Sequence, residues 1–277
     1  MMKENNIALL DLDRILKNKA PKIYNKIPHF FINYLKRKIH QDELNEILTI
    51  YANSDGVEFM KDVTKYFNLT LNVEGLDKIP DDGRFVFASN HPLGGLDGIC
   101  LSAIIGEKYN GKIKYPVNDL LLNIPNLRSI FIPINKHGGQ SKAATEALSE
   151  AFGSDNQIIT FPAGLCSRKQ KGVIMDLEWK KNFITKAIES KRSIVPVYFK
   201  AANSNFFYRF ANIRKKLGIK FNVEMVFLPD EMFKNKNKTF SVIFGQPIPY
   251  SFFDQTRSMK QWAEYMKKET YMLGQNP

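Results

Sequence analysis

The sequence predicts an α/β fold, a mixed sheet flanked by helices, with a helical segment in front of it. Three observations carry this. From about residue 69, short β-rich runs alternate with helical runs, the strand–helix–strand order of layered α/β domains. Before that point the apolar residues recur with helical spacing. The 277 residues, 44% hydrophobic and 25% charged, suffice for a sizeable core without staples.

Taken in order, the first 68 residues read as mostly helical. A helix is expected from about Pro28, because proline sits well in a first helical turn. Phe31, Leu35 and Ile39 follow at i, i+4 and i+8, an apolar stripe expected to pack on the rest of the protein. Lys36, Arg37 and Lys38 load the end where the helix dipole favours cations. Two more helices are expected at 42–51 and 57–66. Strands are expected at 69–73, 85–89, 129–134, 157–161, 194–199, 223–227 and 240–244, and helices at 141–152, 179–190 and 259–272. Residues 1–68 are thus a helical N-terminal segment and 69–277 one α/β domain. No Gly-, Ser- or Pro-rich linker separates them, so they are expected to pack together.

Composition narrows the class. No apolar run approaches the ~18 residues of a membrane-spanning helix, and mean hydropathy is −0.30. The N-terminus mixes acids with bases and lacks the apolar stretch of a secretory signal. Two cysteines, Cys100 and Cys166, without a CxxC pair point to a reducing compartment. None of the four histidines has zinc-type spacing, so no metal site is expected. Net charge is +12, and all of the excess lies in residues 160–277, which hold 21 Lys and Arg against 9 Asp and Glu. A basic half suits a polyanion: nucleic acid, an anionic membrane surface or an acidic carrier protein.

Two segments look like sites. In Ala88-Ser89-Asn90-His91-Pro92-Leu93-Gly94-Gly95-Leu96-Asp97-Gly98, an apolar strand runs into a Pro/Gly turn bracketed by His91 and Asp97. Loops after strands are where α/β folds place chemistry. The glycines let Asp97 fold back onto the imidazole, fixing its tautomer and leaving the other nitrogen as a base. The bland alternative is a turn in which Asp97 caps a helix starting near Gly98. In Ile158-Ile159-Thr160-Phe161-Pro162-Ala163-Gly164-Leu165-Cys166-Ser167-Arg168-Lys169, another strand enters a Pro/Gly turn and ends in two cations. N–H groups around Ala163 and Gly164 are candidates to hold an oxyanion, and Arg168 and Lys169 to neutralise an anionic group. The alternative there is a surface loop with solvated cations.

These segments resemble the signatures of the glycerolipid (lysophospholipid) acyltransferase superfamily: Asn-His, four residues, Asp; and Phe-Pro-Glu-Gly followed by Arg-Ser. The stretch 129–136 (SIFIPINK) resembles the second motif and 194–199 (IVPVYF) the fourth, and 243–248 resembles the late strand and turn. Residues 1–68 lie outside these motifs. Two departures stand out: five residues separate His91 from Asp97, and the motif acid is Ala163, with the arginine later at Arg168. Both match the haemolysin-like, amino-acid-lipid branch of Bacteroidetes type, whose patterns are close to NHP-x-G-x-x-DG and FPAG-x-x-SR. The branch includes enzymes that make glycine- or ornithine-type lipids.

The resemblance implies a glycerol-3-phosphate-acyltransferase-like fold. It implies transfer of a fatty acyl group from acyl-ACP or acyl-CoA to an amine or hydroxyl of a lipid precursor, with an amino-acid acceptor foremost. His91 is then the base and Asp97 its partner. Asn90, Gly94, Gly95, Pro162, Gly164, Ser167, Arg168 and Lys169 are candidates for substrate binding. The thioester is a co-substrate and no cofactor is needed. The expected partners are acyl carrier protein or a CoA thioester, and an anionic membrane surface. The expected location is peripheral, on the cytoplasmic face of the inner membrane. Two stretches that mix aromatics with cations, 206–217 and 30–38, are the candidates for membrane contact. Competing readings are 1-acylglycerol-3-phosphate O-acylation, a hydrolase using Cys166 or Ser167, and nucleic-acid binding. The last is not expected, since no recognisable binding motif accompanies the charge.

Overall fold

Parallel strands need long crossovers, and among the described residues helices follow the second, fourth, seventh and eighth strands in chain order. The computed structural model describes residues 9–19, 21–118, 124–134 and 142–275. Its strands are β1 (Thr70–Glu74), β2 (Phe85–Ser89), β3 (Ile113–Asn118), β4 (Phe131–Ile134), β5 (Gln157–Thr160), β6 (Arg168–Gln170), β7 (Val173–Met175), β8 (Ser193–Lys200) and β9 (Thr239–Phe244). Its helices are α1 (Leu12–Lys19), α2 (Pro21–Tyr24), α3 (His29–Lys38), α4 (Gln41–Ile50), α5 (Gly56–Tyr66), α6 (Leu96–Lys108), α7 (Lys142–Gly153), α8 (Asn182–Glu189), α9 (Asn205–Lys216), α10 (Leu228–Phe233) and α11 (Met259–Leu273).

The main sheet has seven strands in the order β1-β9-β8-β2-β5-β3-β4, and β6 and β7 form a separate hairpin. All neighbours in the main sheet are parallel except β8 and β9. Side chains alternate across it as the two-residue period requires. Phe85 and Phe87 of β2 join a core with α4, α5 and α6, whereas Val86 and Ala88 face α7, α8 and α11. Contact between α5 and α6 depends on Gly106, where a Cβ would lie 2.4 Å from the Val57 side chain. The helical N-terminal segment and the α/β part therefore share one core: Ile47, Val57, Phe59, Met60 and Val63 pack with the sheet.

Three expectations fail for physical reasons. Residues 223–227 form a 3-10 turn leading into α10 rather than a strand, because Glu224 is drawn fully under cover by two arginines. Strand β3 went unread because Pro116 interrupts it. It pairs with β5 only at Ile113 and Lys114 and changes to β4 from Tyr115 onward. Helix α3 begins after Pro28 as expected, but Ile32 is its buried residue, while Phe30 is 74% and Phe31 44% exposed. Residues 135–141, including the end of the second motif-like stretch, lie outside the described residues.

Candidate active site

Because β2 and β5 run parallel, with Val86 opposite Ile158, their C-terminal ends emerge at one edge of the sheet. The two site-like loops meet there. His91 Nδ1 lies 3.0 Å from Asp97 Oδ2, with the side chains 13% and 0% exposed. A carboxylate can only accept, so Nδ1 carries the proton toward Asp97, and in the neutral ring Nε2 is the nitrogen that can accept one. The ring stacks on Phe161 at 4.0 Å, which fixes its plane from the second loop.

Asp97 lies in the first turn of α6 and does not cap the helix, contrary to the alternative expectation. Instead its Oδ2 also accepts from Leu93 N at 2.9 Å, and its Oδ1 accepts from Gly98 N. Burial pushes its carboxyl up, but His91 and these N–H groups outweigh burial and hold it below the ordinary value. The pair is thus an oriented imidazole beside a carboxylate held toward its ionised form, a geometry in which the ring can accept a proton at Nε2 and Asp97 can stabilise the imidazolium.

The His91 backbone is clamped as well. Asn90 imitates a strand residue: its Nδ2 donates to Phe199 O at 3.0 Å and its Oδ1 accepts from Phe199 N at 2.7 Å. Both ends of the amide are thereby taken up in holding the loop on β8. Asn203 Nδ2 donates to Pro92 O. Ser167 N donates to His91 O at 2.7 Å.

Several candidate binding residues are placed otherwise than expected. Ser167 is buried and its Oγ donates to Asp176 at 2.6 Å. Gly164 N–H is used in its own turn, donating to Phe161 O, so it is not available to an oxyanion. Pro162 is buried and its carbonyl accepts from Lys180 N. Arg168 is turned inward, with Nη2 2.9 Å from Glu224 Oε1 and its guanidinium 5.7 Å from the Phe207 ring centre. Gly94 adopts φ +77 and backs onto Leu228 and Cys166. Gly95 is exposed with open space where a Cβ would stand, and Lys169 reaches outward to Asn205. The hydrolase reading loses its nucleophiles. Cys166 is fully buried, and burial, only partly opposed by Arg168, raises its thiol to about 11. Ser167 is committed to Asp176.

Asp176 is the residue the sequence did not disclose. Its Oδ1 accepts from His91 N at 3.2 Å and from Ser167 Oγ, and its Oδ2 accepts from Trp179 Nε1 at 2.9 Å. Its own N–H donates to Tyr271 OH, and its carbonyl accepts from Lys267 Nζ, both on α11. Burial raises its carboxyl above the ordinary value against the pull of these donors. The only trace in the sequence is the run Asp176-Leu177-Glu178-Trp179, in which nothing sets Asp176 apart from its neighbouring acid.

Comparison with known proteins identifies the family. A family model described as acyltransferase matches residues 14–276, so the likeness extends into the helical segment that the sequence motifs left outside it. The lyso-glycine lipid O-acyltransferase of Bacteroides thetaiotaomicron is 50% identical over 272 residues, covering 98% of this chain and 100% of that protein. The protein of the same name from Phocaeicola vulgatus is 49% identical, covering 98% of each. The crystal structure of the 1-acyl-sn-glycerophosphate acyltransferase PlsC from Thermotoga maritima matches with a TM-score of 0.54 over 90% of both chains. At 15% identity it speaks for the fold alone.

Proposed function

This chain belongs to the acyltransferase family, and from that premise we propose that it esterifies the hydroxyl of a lyso-glycine lipid with an acyl group from a thioester donor. The names of two relatives with about half of their residues identical support the acceptor. The chemistry rests on one observation, the buried His91–Asp97 pair at the mouth of the loop after β2.

His91 Nε2 takes the acceptor's hydroxyl proton as the oxygen attacks the thioester carbonyl carbon. Asp97 stabilises the imidazolium that forms. The tetrahedral adduct collapses, the C–S bond breaks, and the thiolate leaves with the proton held on His91. The product is an ester and a free thiol. A thioester is already activated, so the step as proposed draws on no ATP and no metal or redox group. Acyl-ACP and acyl-CoA both satisfy this chemistry as donors.

The enzyme is placed peripherally on the cytoplasmic, anionic face of a membrane. No helix among the described residues is long and apolar enough to cross one. Support comes from exposed apolar side chains set among cations. Phe30 and Tyr34 project from α3 beside Lys36 and Arg37. Leu217 is 69% and Phe221 80% exposed just past α9, next to Lys215, Lys216 and Lys220. Helix α10 bridges the end of α3 and the start of α9: its Asp230 pairs with Lys38, and Lys234, which follows the helix, lies over Phe206. Such mixed faces suit an interface.

The test is acyl transfer by purified protein to a lyso-glycine lipid from an acyl thioester, read by mass spectrometry. Wild type should add one acyl chain in an alkali-labile bond, and His91→Ala should lose about 10²–10⁴-fold in turnover. An alkali-stable product would make the new bond an amide. Acylation of lysophosphatidate instead would move the acceptor to glycerolipids. No transfer to either acceptor would overturn the proposal.

A further inference from the structure

We propose that the cleft between the β6–β7 hairpin and α9 seats the phosphate of the donor's phosphopantetheine arm. This rests on the thioester reading above and names the donor feature that the enzyme grips. The cleft is a concavity of about 400 Å³. Lys169 and Lys171 line it from the hairpin, and Asn205, Tyr208, Arg209 and Asn212 line it from α9. The α9 positions are spaced i, i+3, i+4 and i+7, a single helical face.

Among the described residues three cations converge here and no carboxylate lines the space. Lys169 Nζ has a neutral neighbour, Asn205 Oδ1, at 3.4 Å. Glu224, the acid packed beside α9, is occupied by Arg168 and Arg214. Like charges gathered without a counter-charge raise the energy of the fold unless an anion completes them.

The cleft is built rather than loose. Lys171 (φ 48) and Gly172 (φ 87) form a two-residue turn with both φ angles positive, the type that joins tight hairpins, so Lys171 stands at a fixed tip. Asn212 Nδ2 donates to Lys169 O and ties α9 to the hairpin. The cleft is also joined to the catalytic loop by two routes. Ser167, whose N–H holds His91 O, lies two residues before Lys169, about 7 Å along a strand. Tyr208 OH accepts from Asn203 N, and Asn203 holds Pro92 O. A phosphodiester bound here would sit beside the loop that presents His91, with a flexible arm to carry the thioester to it. Coenzyme A and acyl carrier protein both present that phosphate.

The test compares wild type with Lys171→Gln/Arg209→Gln on three donors: acyl-CoA, acyl-ACP and the phosphate-free acyl-N-acetylcysteamine. The expected result is a KM about tenfold or more higher for the phosphate-bearing donor that wild type uses. The truncated donor should keep its kcat/KM within about twofold and the melting temperature should stay unchanged. Whichever of acyl-CoA and acyl-ACP shows the effect identifies the source of the phosphate. Unchanged KM for both overturns the proposal. So does an equal loss with the truncated donor, or a loss of anionic-vesicle binding with donor KM intact, which would assign the cations to lipid. If wild type transfers from no donor, the acyl-transfer reading fails. Calorimetry with 4′-phosphopantetheine still decides the cleft: binding weakened about tenfold in the variant supports it, and no binding by wild type overturns it.

Discussion

His91 is held by its backbone as firmly as by its ring. Its N–H meets Asp176, its carbonyl meets Ser167, and Asn90 and Asn203 fasten the residues on either side. Asp176 touches none of the reacting atoms, so it is a positioning residue. Asp176→Asn keeps the shape but puts an N–H where one of three donors needs an acceptor. The expected result is a fall in kcat of up to about 10²-fold, the scale of a 1 Å misplacement, with KM for donor and acceptor unchanged. Steady-state kinetics beside a melting curve checks this, and a loss shared between KM and stability would mark Asp176 as merely structural. At this scale the sequence was informative where chemistry is local: six positions link His91 to Asp97, and glycines between them announce the turn. Asp176 was illegible because its partners come from three separate stretches, including α11, and no local spacing encodes that.

At the scale of elements, the 3-10 turn before α10 shows what pattern reading misses. Val-Glu-Met-Val-Phe alternates like a strand. Yet Glu224 is fully buried, with Arg168 2.9 Å from one oxygen and Arg214 Nε 2.9 Å from the other. Removing one partner leaves buried charge unpaired, which typically costs about 3–5 kcal/mol. Glu224→Ala should therefore lower stability by about that much in a denaturant titration, whereas replacing Glu224 and Arg168 together by apolar residues should recover much of it. Of the strands that sequence did reveal, β2 and β8 are buried on both faces and read as apolar runs, whereas β1 is largely exposed and β9 alternates. Strand β3, broken by Pro116, and the three-residue strands of the hairpin carry too little pattern to be seen.

For the whole molecule, the proposed membrane contact is tested at the two stretches where exposed aromatic residues lie among cations. Each buried phenylalanine side chain is worth about 1.5–3 kcal/mol, so Phe30→Ser and Phe221→Ser should each weaken co-sedimentation with anionic vesicles about tenfold or more. Added salt should weaken the wild type too. Unaltered sedimentation of the double variant would remove this face from the membrane. The sequence assigned the α3 stripe one residue away from where it packs, because 3.6-residue spacing cannot tell which side of a helix meets the core when aromatics flank it, and Phe221 lies beyond the 206–217 stretch it singled out.

The pairing of β1 with β9 has a consequence for biosynthesis. Strand β1 is at the sheet's edge and its partner is β9 alone, which the ribosome makes more than 160 residues later; Tyr271, which grips Asp176, follows later still. A nascent chain therefore carries His91, Asp97 and Asp176 long before Tyr271 and Lys267 are made to hold Asp176 from behind. The last support of the loop that presents His91 is added only once α11 has been synthesised, so that loop is expected to reach its final rigidity late in translation.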